Sequence, residues 1–144
     1  MIGENEWRLA VAEFEGLLIQ GRTVEAIERF YADDVIVFEN RSMARAGRAN
    51  CVRWEREQLK LHDRAPQIQV RARGLDSVAR TAFFEVVIRW SESVERMMRL
   101  EEVMVQRWED LHIAQERFYY EGIVDEGDDA PGPSTVMAWS KMGG

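Results

Sequence analysis

The run "RTAFFEVVIRW" (80–90) constrains the fold more than any other stretch. Its even positions, Phe84, Val86, Ile88 and Trp90, are all apolar, while its odd positions mix Phe83, Glu85, Val87 and Arg89. A period of two marks a strand with one face on a core. "RMMRLEEVMVQRW" (96–108) follows after a few turn residues and is of similar length. Its even positions are Met98, Leu100, Glu102, Met104, Gln106 and Trp108. Even faces even across the two strands if an odd-numbered loop joins them, and a three-residue turn at Glu92-Ser93-Val94 satisfies this.

"HIAQERFYYEG" (112–122) reads as the last strand. A turn at Glu109-Asp110 sets Glu102 opposite Arg117. A turn at Asp110-Leu111 sets it opposite Tyr119, with Arg117 on the diagonal. The first spares Leu111 a positive φ. In both registers Gln115, Arg117 and Tyr119 share a face with Glu102. Buried charge is costly unless paired, so polar groups among apolar walls point to a small, partly wet cavity. The opposite face carries Phe83, Val87, Met97, Val103 and Val105. Apolar residues there imply a cover, most simply a second copy of the chain.

The rest of the chain supplies helices. Trp7, Val11, Phe14 and Leu18 recur at helical spacing, and Gly21 stops that run. Thr23 is placed to cap a second helix, "VEAIERFY", which Asp33 and Asp34 break. Val35 to Glu39 reads as a short strand, and "RSMARAGR" reads as either an irregular stretch or a second short strand. "ANCVRWEREQLKLH" reads as a third helix, barred from continuing by Pro66. "QIQVRAR" alternates, with Ile68, Val70 and Ala72 inward. Helices followed by antiparallel strands make an α+β fold, a long curved sheet wrapped around about three helices. One domain spans 1–124. A tail, 125–144, starts acidic and Pro/Gly-rich, and its "TVMAW" is apolar enough to dock on the domain or on a dimer partner.

Composition removes several function classes. A net charge of −7 argues against a nucleic-acid partner, which needs cationic contacts to phosphates. Cys51 is the single cysteine, so no intrachain disulfide forms, and within a helix it reads as a small buried residue. No apolar run approaches the roughly 20 residues of a membrane span, and "MIGENEW" does not have the pattern of a signal peptide. A cytoplasmic setting is expected. Two distant histidines and one cysteine have no metal-ligand spacing, and there is no Gly-rich phosphate loop and no nucleophile elbow. No metal and no cofactor is expected.

Glu39 is the first candidate for chemistry. On the face of Val35 and Val37 it looks into the cavity, where it can take a proton from carbon next to a carbonyl once burial raises its pKa. The plainer reading pairs it with Arg41 or Arg45 at the strand end. Glu102 and Arg117 read first as an ion pair lining the cavity, with Arg117 able to orient a ligand's polar end. Trp54 and Trp90, with Phe14, Phe84, Val86, Ile88 and Met104, form the expected wall around a ligand, joined by Gln115 and Tyr119. His62 reads as an exposed cap late in the third helix, or as a proton shuttle to Glu39.

These pieces in this order, above all "AIERFYADDVIVFEN", "AGRAN" and "LEEVMVQRWEDLHIAQERFYYEG", resemble the NTF2-like superfamily, in its SnoaL-like branch with polyketide cyclases and ketosteroid isomerase. The resemblance covers nearly the whole chain up to Gly122. It implies a cone: helices closing the hollow side of a curved sheet, a pocket inside, and a homodimer. It places the isomerase's aspartate base on Glu39 and its protonated acid near Glu102. The oxyanion-stabilising tyrosine falls on Phe14, which has no hydroxyl. A phenol and a neutral acid together hold the dienolate in that enzyme, and an Arg117 close by would keep Glu102 ionised. Tyr119 is the candidate replacement phenol. Epoxide hydrolysis, another chemistry of the superfamily, calls for an Arg-Asp-Asp arrangement absent from this pattern. The expected ligand is a small apolar or carbonyl-containing molecule. The leading expectation is a cofactor-free isomerase or cyclase; the alternative is a non-catalytic ligand-binding or dimerising module.

Overall fold

A computed structural model describes residues 2–127. Three helices, α1 (Glu4–Ile19), α2 (Thr23–Phe30) and α3 (Arg48–Lys60), accompany seven strands. These are β1 (Tyr31–Glu39), β2 (Ser42–Ala46), β3 (Gln67–Asp76), β4 (Thr81–Ser93), β5 (Arg96–Glu109), β6 (His112–Tyr119) and β7 (Val124–Asp125). One sheet runs β2-β1-β6-β5-β4-β3, with β7 added on β5. All neighbours are antiparallel except β1 and β6, which pair in parallel. The α+β expectation holds. The strand β7 includes Asp125, the first residue of the expected tail; "TVMAW" lies outside the described residues.

The core forms where apolar helix stripes meet the inner sheet face. Trp7, Val11, Phe14 and Leu18 of α1 are buried, as are Ala26, Ile27 and Phe30 of α2. Phe14 meets Phe30 and Trp108 edge-on at centroid distances of 6.0 and 6.4 Å, and tilts against Phe84 at 6.4 Å. Gly21 has φ +77°, so the chain turns from α1 into α2 at a position that suits glycine. Gly47 has φ +89° at the entry to α3, where its N–H donates to the Val35 carbonyl at 2.7 Å.

Several local expectations change. Thr23 does not cap α2: it is the first helical residue, and its hydroxyl donates to Glu55 on α3 at 2.9 Å. Asp33 and Asp34 do not end the helix, because Phe30 already does; both sit exposed inside β1, which starts at Tyr31. On β3, a bulge between Val70 and Ala72 reverses the facing. Ala72 turns out opposite Glu85, and Arg73 reaches the helix side, where it pairs with Glu15 of α1.

The two long hairpins fix the inner face. In β4–β5, Val86 lies opposite Glu102, Phe84 opposite Met104 and Ile88 opposite Leu100, so even faces even. The turn is shorter than three residues, and an irregularity between Ser91 and Ser93 restores the parity. In β5–β6 the turn is Asp110-Leu111, with Asp110 at φ 51°. Aspartate tolerates this left-handed conformation, so Leu111 is spared it. A register shift between Arg107 and Trp108 then moves the pairing by one: Trp108 lies opposite Ile113, but Arg107 lies opposite Gln115. One residue of slip turns every later side chain to the other face. Glu116 and Phe118 therefore look inward, while Gln115, Arg117 and Tyr119 look outward.

Candidate functional site

The helices do not fill the hollow of the sheet. They leave a cavity of about 350 Å³. Phe14 and Leu18 of α1, Ala26 and Ile27 of α2, and Trp54 and Leu59 of α3 line one side. The sheet supplies Val86, Ile88, Trp90, Leu100 and Met104 opposite them. The expected wall residues Phe14, Trp54, Val86, Ile88, Trp90 and Met104 thus line the cavity. Phe84 is fully buried beside Phe14 and belongs to the core.

Glu39 and Glu102 both reach the cavity. Glu39 sits at the end of β1, beside the β1–β2 turn that brings Arg45 alongside it. Arg45 Nη1 donates to Glu39 Oε2 at 2.7 Å, and the Tyr120 hydroxyl donates to Oε1 at 2.6 Å. The Arg45 guanidinium lies 3.8 Å from the Trp54 ring centroid, a cation–π contact that fixes it. Burial pushes the Glu39 pKa up, but the Tyr120 and Arg45 bonds and the Arg45 charge outweigh it and hold the carboxyl below its ordinary value. The burial-raised base expected from sequence is not found. The same contacts, first the Glu39 bond and then burial, lift the Tyr120 phenol to about 12.

Glu102 is the opposite case. It is only 8% exposed, and its carboxyl has no hydrogen-bond partner among the described residues. Burial above all, then the charges of Glu116, Glu39 and Glu55, push its pKa up to about 8; Arg45 offsets part of this. The expected partner, Arg117, is on the other side of the sheet. It donates to the Asn40 carbonyl at 2.5 Å and its guanidinium stacks 4.1 Å from the Phe38 centroid. The Glu102–Arg117 pair does not exist, and the reason is the register shift in β5–β6. Gln115 and Tyr119 leave the expected wall for the same reason.

The shift brings in residues that alternation alone had placed outside. Glu116 is fully buried and lines the cavity; burial raises its pKa to about 7 against the opposing bonds from Tyr31 and Gln106. Tyr120 takes the place given to Tyr119. Glu55 of α3 also lines the cavity, raised by burial against the Thr23 hydroxyl and Arg45. His62 is not an exposed cap: it is half-buried, lines the cavity, and lies 5.9 Å from the Trp90 ring. No hydrogen bond joins it to Glu39. Among the described residues no group of His, Cys, Asp or Glu could hold a metal ion, and no helix is long and apolar enough to cross a membrane.

Chemically, the cavity offers a carboxylate and an uncharged carboxylic acid within one apolar chamber. The first is held as the stronger acid of the two; the second, its pKa pushed up to about 8, can donate a hydrogen bond while it carries its proton. Environments that push two acids apart in this way set up acid–base work.

No family model matches the sequence, and no curated protein matches it. Solved structures do match in shape. A candidate SnoaL-like polyketide cyclase from Mesorhizobium loti is 19% identical with a TM-score of 0.63, covering 78% of this chain and 97% of that one. A candidate ketosteroid isomerase from Kribbella flavida is 19% identical with a TM-score of 0.64, over 89% and 84% of the two chains. An LEH-like epoxide hydrolase from M. tuberculosis is 16% identical with a TM-score of 0.62, over 81% and 79%. The fold is therefore NTF2-like, in its SnoaL-like form.

Proposed function

We propose that this protein binds a small, largely apolar molecule carrying a carbonyl, and that it moves a proton next to that carbonyl without a cofactor. The observation that carries the reading is Glu102: a buried carboxyl with no hydrogen-bond partner among the described residues, opening on an otherwise mostly apolar cavity. Its oxygens open on the cavity, so whatever fills the cavity becomes their partner, and a ligand's carbonyl oxygen suits the protonated form.

In this mechanism the Glu102 O–H donates to the carbonyl oxygen. Glu39 takes the proton from the adjacent carbon, and the C–H electron pair moves toward oxygen to give an enolate. Glu102 stabilises the developing charge, and Arg45 adds its positive field. Glu39 then returns the proton to the same carbon or to another one along a conjugated chain. Since Glu39 is not made more basic by its surroundings, enolate stabilisation has to carry most of the rate. Tyr120 and Arg45 orient the base.

Exchange of ketone α-protons for deuterium, followed by NMR over a panel of enolisable ketones, tests this. Glu39→Gln is expected to lower exchange by about 10²–10⁴-fold. Equal exchange by wild type and variant removes Glu39 as the base. A protein that binds the ketones but exchanges nothing is the non-catalytic binding module instead. Epoxides belong in the same panel, because an acid opposite a carboxylate also suits ring opening by water.

The outer sheet face supports a homodimer. By register, Phe38, Arg117, Val105 and Phe83 lie side by side across β1, β6, β5 and β4. Ile36, Phe83, Val103 and Tyr119 are each 40–49% exposed there, an apolar surface that a second copy would cover. Val103→Glu is expected to give monomers in sedimentation; an unchanged dimer, or a wild type that is already monomeric, contradicts this. The reading also places the protein in the cytoplasm, with the folded unit carried past the expected boundary at 124, since β7 takes in Asp125 and Glu126 pairs with Arg89.

A further inference from the structure

The cavity is long in one direction, and its two ends differ. Glu102 lies opposite Val86, and Trp90 stands further along β4, opposite Met98. At about 3.3 Å per residue, this wall carries Trp90 roughly 13 Å from Glu102 along the strands. Ile88 and Leu100, paired between them, offer only hydrocarbon. The opposite wall gives a similar length. Along α3 the cavity is lined by Trp54, Glu55, Gln58, Leu59 and His62, the spacing of one helix face. Trp54 carries the Arg45 guanidinium at the Glu39 end. His62 lies about 12 Å beyond Trp54 at about 1.5 Å per residue, and its backbone N–H closes the helix end on the Leu59 carbonyl at 3.3 Å. There the two walls meet, with the His62 and Trp90 ring centroids 5.9 Å apart and the rings tilted by 57°.

The far end is polar. Gln58, His62 and Trp90 are half-buried, line the cavity, and form no side-chain hydrogen bond among the described residues. The Trp90 indole can only donate, an imidazole keeps at least one N–H in either protonation state, and the Gln58 amide has two. The partner common to all three is an oxygen acceptor. We propose that His62, Trp90 and Gln58 form a second polar subsite, which selects ketones carrying an oxygen acceptor roughly 10 Å from the carbonyl. Side chains project into the cavity from both ends, so this span is shorter than the walls. The ligand is then a long, mostly apolar ketone held at both ends, and His62 is the residue that determines specificity at the second. The inference rests on the carbonyl lying at Glu102, as proposed above.

Calorimetric titration with three saturated ten-carbon methyl ketones tests this: one plain, one with a terminal hydroxyl and one with a terminal carboxylate. The two end-oxygenated ketones are expected to bind wild type about three- to tenfold more tightly than the plain one. The same chains four carbons shorter cannot reach both ends and should show no such preference. His62→Phe, which keeps a ring against Trp90, is expected to bring the three long ketones to one affinity; Trp90→Phe decides the matter if that variant does not fold. Equal affinities in wild type, a preference that ignores chain length, or one that survives in every folded variant overturns the proposal. A preference for the terminal hydroxyl alone, or for the carboxylate alone, supports it and names the acceptor. Binding needs no turnover, so tight binding without α-proton exchange would sink the proton transfer and leave the second subsite standing. Exchange with equal affinities would do the reverse, and no binding by any of these ketones would remove both.

Discussion

The two faces of the sheet handle charge in opposite ways. On the outer side carboxylates meet arginines: Arg71 with Glu101 at 3.1 Å and Arg89 with Glu126 at 2.8 Å. Both pairs are partly wet, and such pairs contribute little to stability. Around the cavity Glu39, Glu55, Glu102 and Glu116 share one guanidinium among the described residues, that of Arg45. Water does not screen them well, so proton binding replaces ion pairing as the way to limit charge. The outer face spends its charges on solubility and shape. The inner face limits its charge by holding protons.

That contrast breaks most severely at Arg45. Arg45→Met leaves Glu39 half-buried without its cation and is expected to destabilise the fold by about 3 kcal/mol; it should also raise the Glu39 midpoint. Denaturant unfolding and carboxyl titration measure both. A change below ~1 kcal/mol would mean that the inner charges are better solvated than the cavity implies.

The pH dependence comes next. Glu102 and Glu116 titrate near 8 and near 7 when folded, against 4.5 as their ordinary value. Between these limits the folded protein holds protons that the unfolded chain has released, so stability falls as pH rises from about 4.5 to 8. Glu39 has the opposite sign: lowered when folded, it stabilises above its ordinary value and loses this as pH falls through its folded pKa. Stability should therefore peak in mildly acidic solution. Glu102→Gln removes one large contribution. Relative to wild type it should gain about 2–4 kcal/mol at pH 8 compared with pH 5. Parallel pH profiles for the two proteins would contradict this.

The smallest effects belong to the outer face. Arg117→Gln loses the bond to Asn40 and the stack on Phe38, worth together about 1–2 kcal/mol, and should leave ligand affinity unchanged. Arg71→Gln should change stability by less than about 0.5 kcal/mol. A drop in ligand affinity on changing Arg117 would tie the outer face to the cavity.

The sequence carried the fold and about half of the site. Alternation along 80–90 and 96–108 was strong enough to place Val86, Ile88, Glu102 and Met104 on one face, and Glu39 followed from its spacing to Val35 and Val37. The facing of the last strand is not legible in the sequence, because 112–120 has polar and aromatic residues at both parities and nothing in it marks the shift beyond Trp108. A single extra residue there exchanged Arg117 for Glu116 and Tyr119 for Tyr120. The consequence is chemical: the acid expected to be ionised beside a cation is instead buried without one. Asp33 and Asp34 misled for a related reason. They look like helix breakers, but they fall in the stretch of β1 between Tyr31 and Ile36 where the register to β6 shifts and β2 has not yet begun to pair, and an irregular, exposed stretch accommodates them.

The central claim is that Glu102 donates a hydrogen bond to the ligand's carbonyl oxygen. The C=O stretching frequency of a bound ¹³C=O-labelled ketone, in wild type and in Glu102→Gln, tests it most directly. A frequency lowered well below the value in water for wild type, and largely restored in the variant, is the predicted result. An unshifted carbonyl in wild type, or the same shift in both proteins, would contradict it.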